Sequence, residues 1–370
     1  MVSASTPPAP DPLPCSPSQA EGGWEALVPP ALERAWGWSP EKAKLVDPAA
    51  KDLLPALVRL MALRSAARAD STTSSVLDPW DRMAQRATLL HPRCGGGWTI
   101  AGRWLQALAA RKHLEAVAPG VKATSPAPEG TESRFYGGGW AQGLRETAAA
   151  LSVTLAPAEE IWISEDSPVS AAVQVWSRAV SREAPDAGPS QSGALLPGER
   201  LWLLGGEAGG LAGSLYQDSI LRIRAGVPTP VDPASLLRLE PLLRRLRAEG
   251  LAREVRAVGE GGLMATLADW LVDSGPGRGA VLAVHPRHVR RRDAFLFGED
   301  VQRLLVSVPA AGEEEIRAAA GKAEVCALPL GEVTEGIALA LQVGGVVMAW
   351  RVEQLGGPAA RMTVQRENLA

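Results

Sequence analysis

A carboxylate and two glycines, Glu260-Gly261-Gly262, follow a short strand-like stretch and precede an apolar helix-like stretch. Two glycines at the start of a helix let backbone N–H groups come close to an anion. Four residues before Glu260, Arg256 could pair with a phosphate through its guanidinium group. The turn therefore has the residue types of an anion-binding site.

The same turn lacks a group that could move a proton. Arg256 stays protonated at neutral pH and cannot act as a base, and Ala257 has no ligating atom. The glycines also have a structural explanation, because they permit a tight connection between a strand and a helix, where Glu260 would favour the helix dipole. The residues leave two interpretations open, a ligand-binding turn and a structural turn, and favour the second.

A second glycine pattern, GGGW, occurs at 95–98 and again at 137–140, each time before a stretch with helical periodicity. Three glycines at a helix start could cradle a phosphate, but both copies lack the lysine and hydroxyl of a phosphate loop. The pattern therefore predicts two flexible turns that each allow a tryptophan to pack. Residues 94–117 are expected to continue as a helix, and the Pro- and Gly-containing stretch 119–133 is expected to be a loop.

The composition of the 370-residue chain is that of a globular protein with room for two domains, with 46% hydrophobic and 21% charged residues. A net charge of −3 creates no general attraction to nucleic acid. The basic stretch HPRHVRRR at 285–292 contains a His-x-x-His pair without a third ligand, and it is interpreted as a solvated loop. We therefore predict that nucleic acid is not a partner.

No stretch has the pattern of a membrane segment or a secretory signal. The longest uncharged run, GIALALQVGGVVMAW at 336–350, is shorter than the roughly 20 apolar residues that a membrane helix needs. The first residues lack the basic and apolar regions of a signal peptide. The sequence therefore predicts a cytoplasmic protein without a membrane partner.

Strand-like and helix-like stretches alternate through the second half of the chain, which predicts an α+β fold. The last two alternating runs, separated by two glycines, predict a closing β-hairpin. The expected organisation is a disordered or irregular lead-in, two domains and a tail, at 1–38, 39–190, 198–358 and 359–370.

Four stretches of the second half carry a family resemblance: LLGGEAGGLAGSLY, EGLAREVRAVGEGGLMATLADWL, FLFGEDVQRLLVSVP and LPLGEVTEG. Their order and spacing resemble the C-terminal domain of the AIR synthase superfamily, and within it the C-terminal half of the phosphoribosylformylglycinamidine synthases. The resemblance covers residues 200–355 and is weaker in the first half. It implies an AIR-synthase-like unit with an N-terminal α/β barrel-half domain and a C-terminal α/β sandwich domain.

The resemblance also implies site residues. In the family, a His-Asp-Val-Ser-Asp-Gly-Gly-Leu turn opens a helix, and here Arg256, Ala257 and Gly259 stand in the places of His, Asp and Ser. No catalytic residue is therefore assigned. The candidate cofactor-binding residues are Ser214, Arg256, Glu260, Gly261, Gly262 and Glu299. Asp70 and Asp78 are candidates for binding magnesium, and both are equally compatible with a turn held by Asx hydrogen bonds.

The family's reaction implies a function and partners. A chain with this resemblance could be an ATP-dependent C–N ligase subunit of purine biosynthesis that uses ATP and Mg²⁺. The alternative is a non-catalytic AIR-synthase-fold unit with an assembly or regulatory role, which the altered turn supports. Because units of this family pair through their N-terminal domains, the resemblance predicts a homodimer, or a heterodimer with another AIR-synthase-like unit. A glutamine amidotransferase subunit is a further implied partner.

Overall fold

The computed structural model of the chain describes residues 56–64, 78–124, 132–157, 159–163, 173–183, 193–206, 210–285, 288–289, 291–343 and 346–355. The expected lead-in and tail lie outside these ranges, and so does the expected boundary near residue 190. The four domain bounds therefore stay predictions.

The described chain contains both α-helices and β-strands. The α-helices are α1 (56–64), α2 (Pro79–Leu90), α3 (Pro92–Ala109), α4 (Glu132–Ala150), α5 (Pro233–Ala248), α6 (Gly262–Asp273), α7 (Arg292–Phe297), α8 (Glu313–Lys322) and α9 (Val352–Leu355). The strands are β1 (Lys112–Thr124), β2 (Thr154–Leu155), β3 (Glu159–Ile163), β4 (Val173–Glu183), β5 (Arg200–Gly205), β6 (Glu254–Ala257), β7 (Arg278–Val284), β8 (Arg303–Val308), β9 (Ala327–Glu335), β10 (Ala338–Val343) and β11 (Val346–Arg351). A short π-helix spans Tyr216–Leu221. No helix in the described ranges has both the length and the apolar character needed to span a membrane.

The strands form two sheets. In the four-stranded sheet, β1 pairs in parallel with β2 and β3 and antiparallel with β4. The seven-stranded sheet has the order β11-β10-β7-β9-β5-β8-β6, and only β7 and β10 are parallel neighbours in it. This arrangement confirms the predicted α+β fold, and β10 and β11 form the predicted closing hairpin.

The seven-stranded sheet is buried on both faces, as strand β5 illustrates. Leu201 and Leu203 point to one face and join a core with the apolar side of α6. Trp202 and Leu204 point to the other face and join a core that includes α5 and the helices of the four-stranded sheet. Because both faces are covered, β5 reads as a continuous apolar run and not as an alternating one.

The two halves of the chain share that second core and are also joined by hydrogen bonds. Arg247 of α5 donates to the backbone carbonyls of Leu108 and Ala109 at 3.0 and 2.9 Å, where α3 ends. Both carbonyls lie in the last turn of α3, where the regular helical hydrogen bonds end, and Leu108 accepts one further backbone bond, from Arg111 N at 3.2 Å. The guanidinium group therefore helps to cap the helix. Burial lowers the pKa of Arg247 to about 10.

The structure corrects the prediction for the two GGGW motifs, because both lie inside helices. The cause is the close crossing of α3 and α4. A Cβ atom on Gly96 would lie 2.1 Å from the carbonyl oxygen of Trp140, and one on Gly143 would lie 2.0 Å from that of Arg93. The glycines therefore allow the two helix backbones to come into contact. Tryptophans of the same motifs, such as Trp98, are buried in the core.

The prediction of a helix to residue 117 followed by a loop was also wrong, because α3 ends at Ala109 and residues 112–124 form β1. The Pro-Gly pair at 119–120 lies in this strand. A Cβ atom on Gly120 would lie 2.1 Å from the ring of Trp176 on the neighbouring strand. Gly120 therefore makes room for an aromatic ring that covers it, and it does not make a turn.

The helix crossing predicts opposite effects for alanine at two glycines of the GGGW motifs. Gly96→Ala should lower the free energy of unfolding by about 1–3 kcal/mol, because its Cβ overlaps a backbone carbonyl. Gly138→Ala is the matched control, since a Cβ there meets no atom within 4 Å. It should raise the free energy of unfolding by up to about 1 kcal/mol through helix propensity. Urea denaturation measures both, and equal effects would contradict the proposed role of the crossing.

Candidate functional site

The glycine turn connects β6, which ends at Ala257, to α6, which begins at Gly262. Gly261 and Gly262 have φ angles of 82° and 76°, in the left-handed region that favours glycine. A Cβ atom on Gly262 would also lie 2.6 Å from the backbone carbon of Phe297. The backbone conformation alone therefore requires both glycines.

Glu260 precedes the glycines and is held by two arginines of α2. Arg82 donates to both carboxylate oxygens, with Nε at 3.0 and 3.1 Å and Nη2 at 2.5 Å. Arg86 donates from Nη1 to Oε1 at 2.8 Å. The side chain of Glu260 is only 2% exposed. A carboxylate from the second half of the chain is thus neutralised by a helix of the first half.

Glu299 lies on the other side of Arg86 and is completely buried. Its Oε2 accepts a hydrogen bond from Arg86 Nη2 at 2.7 Å. Its Oε1 accepts from the backbone N–H groups of Leu215 and Gly261 at 2.8 and 2.7 Å. Glu299 therefore fixes the glycine turn and the segment before the π-helix to one another.

Ser214 belongs to the same buried segment. Its hydroxyl oxygen accepts from the backbone N–H of Gln217 at 3.1 Å. The preceding residue, Gly213, accepts from Arg86 Nε through its carbonyl oxygen at 2.9 Å. The structure therefore brings together Ser214, the glycine turn and Glu299 around Arg86, which donates to three separate segments.

The charges of the cluster follow from burial and mutual attraction. Burial by itself would raise the pKa of Glu260, but Arg86 and Arg82 oppose it and lower that pKa to about 2. Burial raises the pKa of Glu299 against the opposing attraction of Arg86. The two carboxylates keep the pKa of Arg86 above its usual range although burial acts to lower it.

The side chains of two candidate residues pair with groups outside this cluster. Arg256 forms an ion pair with Asp273 at 2.8 Å, and its guanidinium carbon lies 5.3 Å from the centre of the Trp270 ring. Asp78 is the N-cap of α2, where Oδ1 accepts from the backbone N–H of Trp80 at 2.8 Å. Its other oxygen pairs with Arg103 at 2.9 Å.

The remaining metal candidate, Asp70, lies outside the described residues. Within the part of the chain that the structure describes, His, Cys, Asp and Glu side chains form no group of three or more that could hold a metal ion. Asp78, Glu260 and Glu299 are each paired with an arginine. The described residues therefore do not fit a magnesium ion.

The sequence did not point to Arg82 and Arg86, which organise the cluster. Their only signal is a spacing of four residues on one helix, which places them on the same face. Arginines at that spacing usually lie on a solvated surface, so the spacing alone has no functional meaning. Their partners Glu260 and Glu299 lie more than 170 residues later in the chain.

Comparison with known proteins supports the resemblance found in the sequence. Residues 197–344 match the family described as AIR synthase related protein, C-terminal domain. The phosphoribosylformylglycinamidine synthase subunit PurL of Pyrobaculum calidifontis is 29% identical over 273 residues, which are 73% of this chain and 36% of that protein. The resemblance to the AIR synthase superfamily, and within it to these synthases, is thereby confirmed.

Solved structures show the same fold. Thermotoga maritima PurL complexed with ATP aligns with a TM-score of 0.55 and 16% identity, covering 74% of this chain and 43% of that chain. The structure of PurLQS from Thermotoga maritima aligns with a TM-score of 0.53 and 18% identity, again covering 74% and 43%. The chain thus has the AIR-synthase-like fold and spans less than half the length of each of these proteins.

The lowered pKa of Glu260 predicts a pH-dependent contribution to stability. Its ionised form is favoured by folding, so its contribution is complete above the ordinary pKa of 4.5 and is lost as the pH falls towards 2. Glu260→Gln should cost about 3–5 kcal/mol near pH 7, because it leaves buried guanidinium charge unpaired. The difference in the free energy of unfolding between wild type and variant should be about 2 kcal/mol smaller at pH 3 than at pH 7.

Urea denaturation of both proteins at pH 7 and pH 3 measures this difference. Asp273→Asn is the control, since it removes a half-exposed carboxylate that pairs with Arg256 and makes no contact with Arg82 or Arg86. A difference for Glu260→Gln that is the same at both pH values would contradict the assignment of its ionised state.

Proposed function

We propose that this chain is an AIR-synthase-fold unit of the purine-biosynthesis type that contributes structure to an assembly and does not supply the reacting groups. The observation that carries the proposal is the glycine turn, where Glu260 is committed to Arg82 and Arg86. The match of residues 197–344 to the AIR synthase related C-terminal domain and the similarity to a PurL subunit over 273 residues support the proposed type of unit.

The chemistry of the cluster supports a structural role. A general acid or base works best with a pKa near the operating pH and within reach of the substrate. Glu260 has a pKa of about 2, and Glu299 has no exposed side-chain surface. Arginine is not deprotonated near neutral pH. These side chains are therefore suited to holding segments together and not to proton transfer.

The four-stranded sheet supports the proposed assembly. On strand β4 the side chains of residues 178–182 are exposed, and Val180 in their centre is 51% exposed. Val180 pairs across the sheet with Ala116, and Arg178 pairs with Ala118. By strand alternation Arg178 and Arg182 share this face with Val180. An exposed apolar side chain between arginines is a composition found at surfaces that pack against another protein. We therefore propose that a second AIR-synthase-like unit covers it, either a copy of this chain or a companion unit.

A larger assembly is also part of the proposal. One solved relative of the fold is PurLQS of Thermotoga maritima, and the resemblance implies a glutamine amidotransferase subunit as a partner. The chain spans about a third of the length of the PurL relative that it matches. A cytoplasmic location stays a prediction.

The second candidate function is an ATP-dependent C–N ligase subunit. It is favoured by the clustering of Ser214, Gly261, Gly262 and Glu299, the positions that the family resemblance assigns to ligand binding. A solved protein of the same fold is complexed with ATP. The ligase function requires that ATP bind at the cluster around Arg86. Mg²⁺ would then bind together with the ATP.

Calorimetry with ATP and MgCl₂ separates the two functions. We expect no heat of binding from the purified chain, because the arginines and carboxylates of the cluster are already paired with one another. Saturable binding of ATP that is lost in Glu299→Gln, while the variant stays folded by circular dichroism, would overturn the structural proposal in favour of the ligase.

The proposed pairing predicts the effect of a charge on the sheet face. The wild-type chain should scatter light as a dimer at micromolar concentration, and Val180→Asp should shift it to a monomer, because burying an unpaired carboxylate at an interface is costly. Val227→Asp is the matched control, since Val227 is 64% exposed on a loop outside the sheet. A monomeric wild type, or equal behaviour of both variants, would contradict self-pairing through this face.

A further inference from the structure

The guanidinium group of Arg86 lies between two buried carboxylates in the way that a bridging cation would. Its Nη1 is 2.8 Å from Glu260 Oε1, and its Nη2 is 2.7 Å from Glu299 Oε2. Both carboxylates are 2% exposed or less. Carboxylate oxygens are also the protein groups that Mg²⁺ and Ca²⁺ bind, together with waters or further oxygen ligands.

The charge in the cluster is balanced without a metal. Glu260 and Glu299 are two negative groups, and Arg82 and Arg86 are two positive groups. A Mg²⁺ ion binds carboxylate oxygens at about 2.0–2.1 Å, which is closer than any hydrogen-bonded nitrogen can approach. To reach Glu260 and Glu299 together, the ion would have to displace Arg86 and would then lie beside an uncompensated guanidinium charge in a buried environment.

We propose that Arg86, assisted by Arg82, is the resident cation between Glu260 and Glu299 and keeps a divalent ion out of the space between them. The arginines come from α2 in the first half of the chain, and the carboxylates come from the second half. Two arginine side chains thus neutralise the carboxylates. The contact between the two halves of the chain therefore does not require Mg²⁺. The inference rests on the geometry of these four side chains and not on the proposed assembly.

The proposal predicts that removal of Arg86 uncovers a divalent-cation site. In Arg86→Ala, Glu260 Oε1 and Glu299 Oε2 lose a shared donor, and an ion can enter the space between them. Mn²⁺ is the probe, because the electron paramagnetic resonance signal of the free ion disappears on binding. Arg93→Ala is the matched control, since it removes an arginine from an exposed ion pair with Glu146.

We expect the wild-type chain and Arg93→Ala to leave the signal of millimolar Mn²⁺ unchanged and to unfold at temperatures that do not depend on Mn²⁺. Arg86→Ala should unfold at a lower temperature, bind about one Mn²⁺ per chain, and recover several degrees of its unfolding temperature when Mn²⁺ is added. The double variant Arg86→Ala/Glu299→Gln should bind none. If Arg86→Ala does not fold alone, refolding in the presence of Mn²⁺ should restore its circular dichroism spectrum.

Three results would overturn the proposal. The first is stoichiometric Mn²⁺ binding by the wild type that is lost in Glu299→Gln. The second is a folded Arg86→Ala that binds no Mn²⁺. The third is an Arg86→Ala that refolds neither with nor without the ion. None of these results depends on whether Val180 lies at an interface or whether ATP binds, so failure here is distinguishable from failure of the proposed function.

Discussion

The contact between Arg86 and two buried carboxylates is the constraint on which the site depends. Glu260 and Glu299 lie on segments that adjoin the same turn, and without a cation their charges would repel each other in a region that water does not reach. Arg86 removes that repulsion and donates a third hydrogen bond to Gly213. The conformation of the glycine turn, the position of the segment before the π-helix and the placement of α2 are thus determined together.

Much of the second half could be predicted from the sequence. Its strands and helices have clear hydrophobic patterns, and the glycines at 261 and 262 mark the turn because few other residues adopt its backbone angles. The motifs around Ser214 and Glu299 were expected to meet there because the family resemblance placed them in order. Arg256 was also expected at the turn, but it lies on the edge strand β6, where it reaches Asp273 and Trp270 of α6.

What the sequence did not reveal depends on contacts between distant segments. Arg82 and Arg86 belong to no motif, and a pair of arginines on a helix becomes informative only when the carboxylates opposite it are known. The GGGW motifs were misinterpreted because glycine is commoner in turns than in helices. The stabilisation that these glycines provide depends on the way α3 and α4 cross, which neither motif shows by itself. Gly120 was misinterpreted for the same reason, since its role depends on Trp176 of another strand.

The origin of the two arginines has a consequence for the modularity of the chain. The segment 197–344 is a recognisable family domain, yet Glu260 and Glu299 within it are neutralised by a helix encoded more than 100 residues before it begins. Excised from the chain, this segment would have two adjacent carboxylates without a counter-charge, and Trp202 and Leu204 would lose part of their covering. A stable isolated form of this segment would need another counter-charge in the place of Arg82 and Arg86. The segment that matches the family and the set of residues that balances its buried charges therefore do not coincide in this chain.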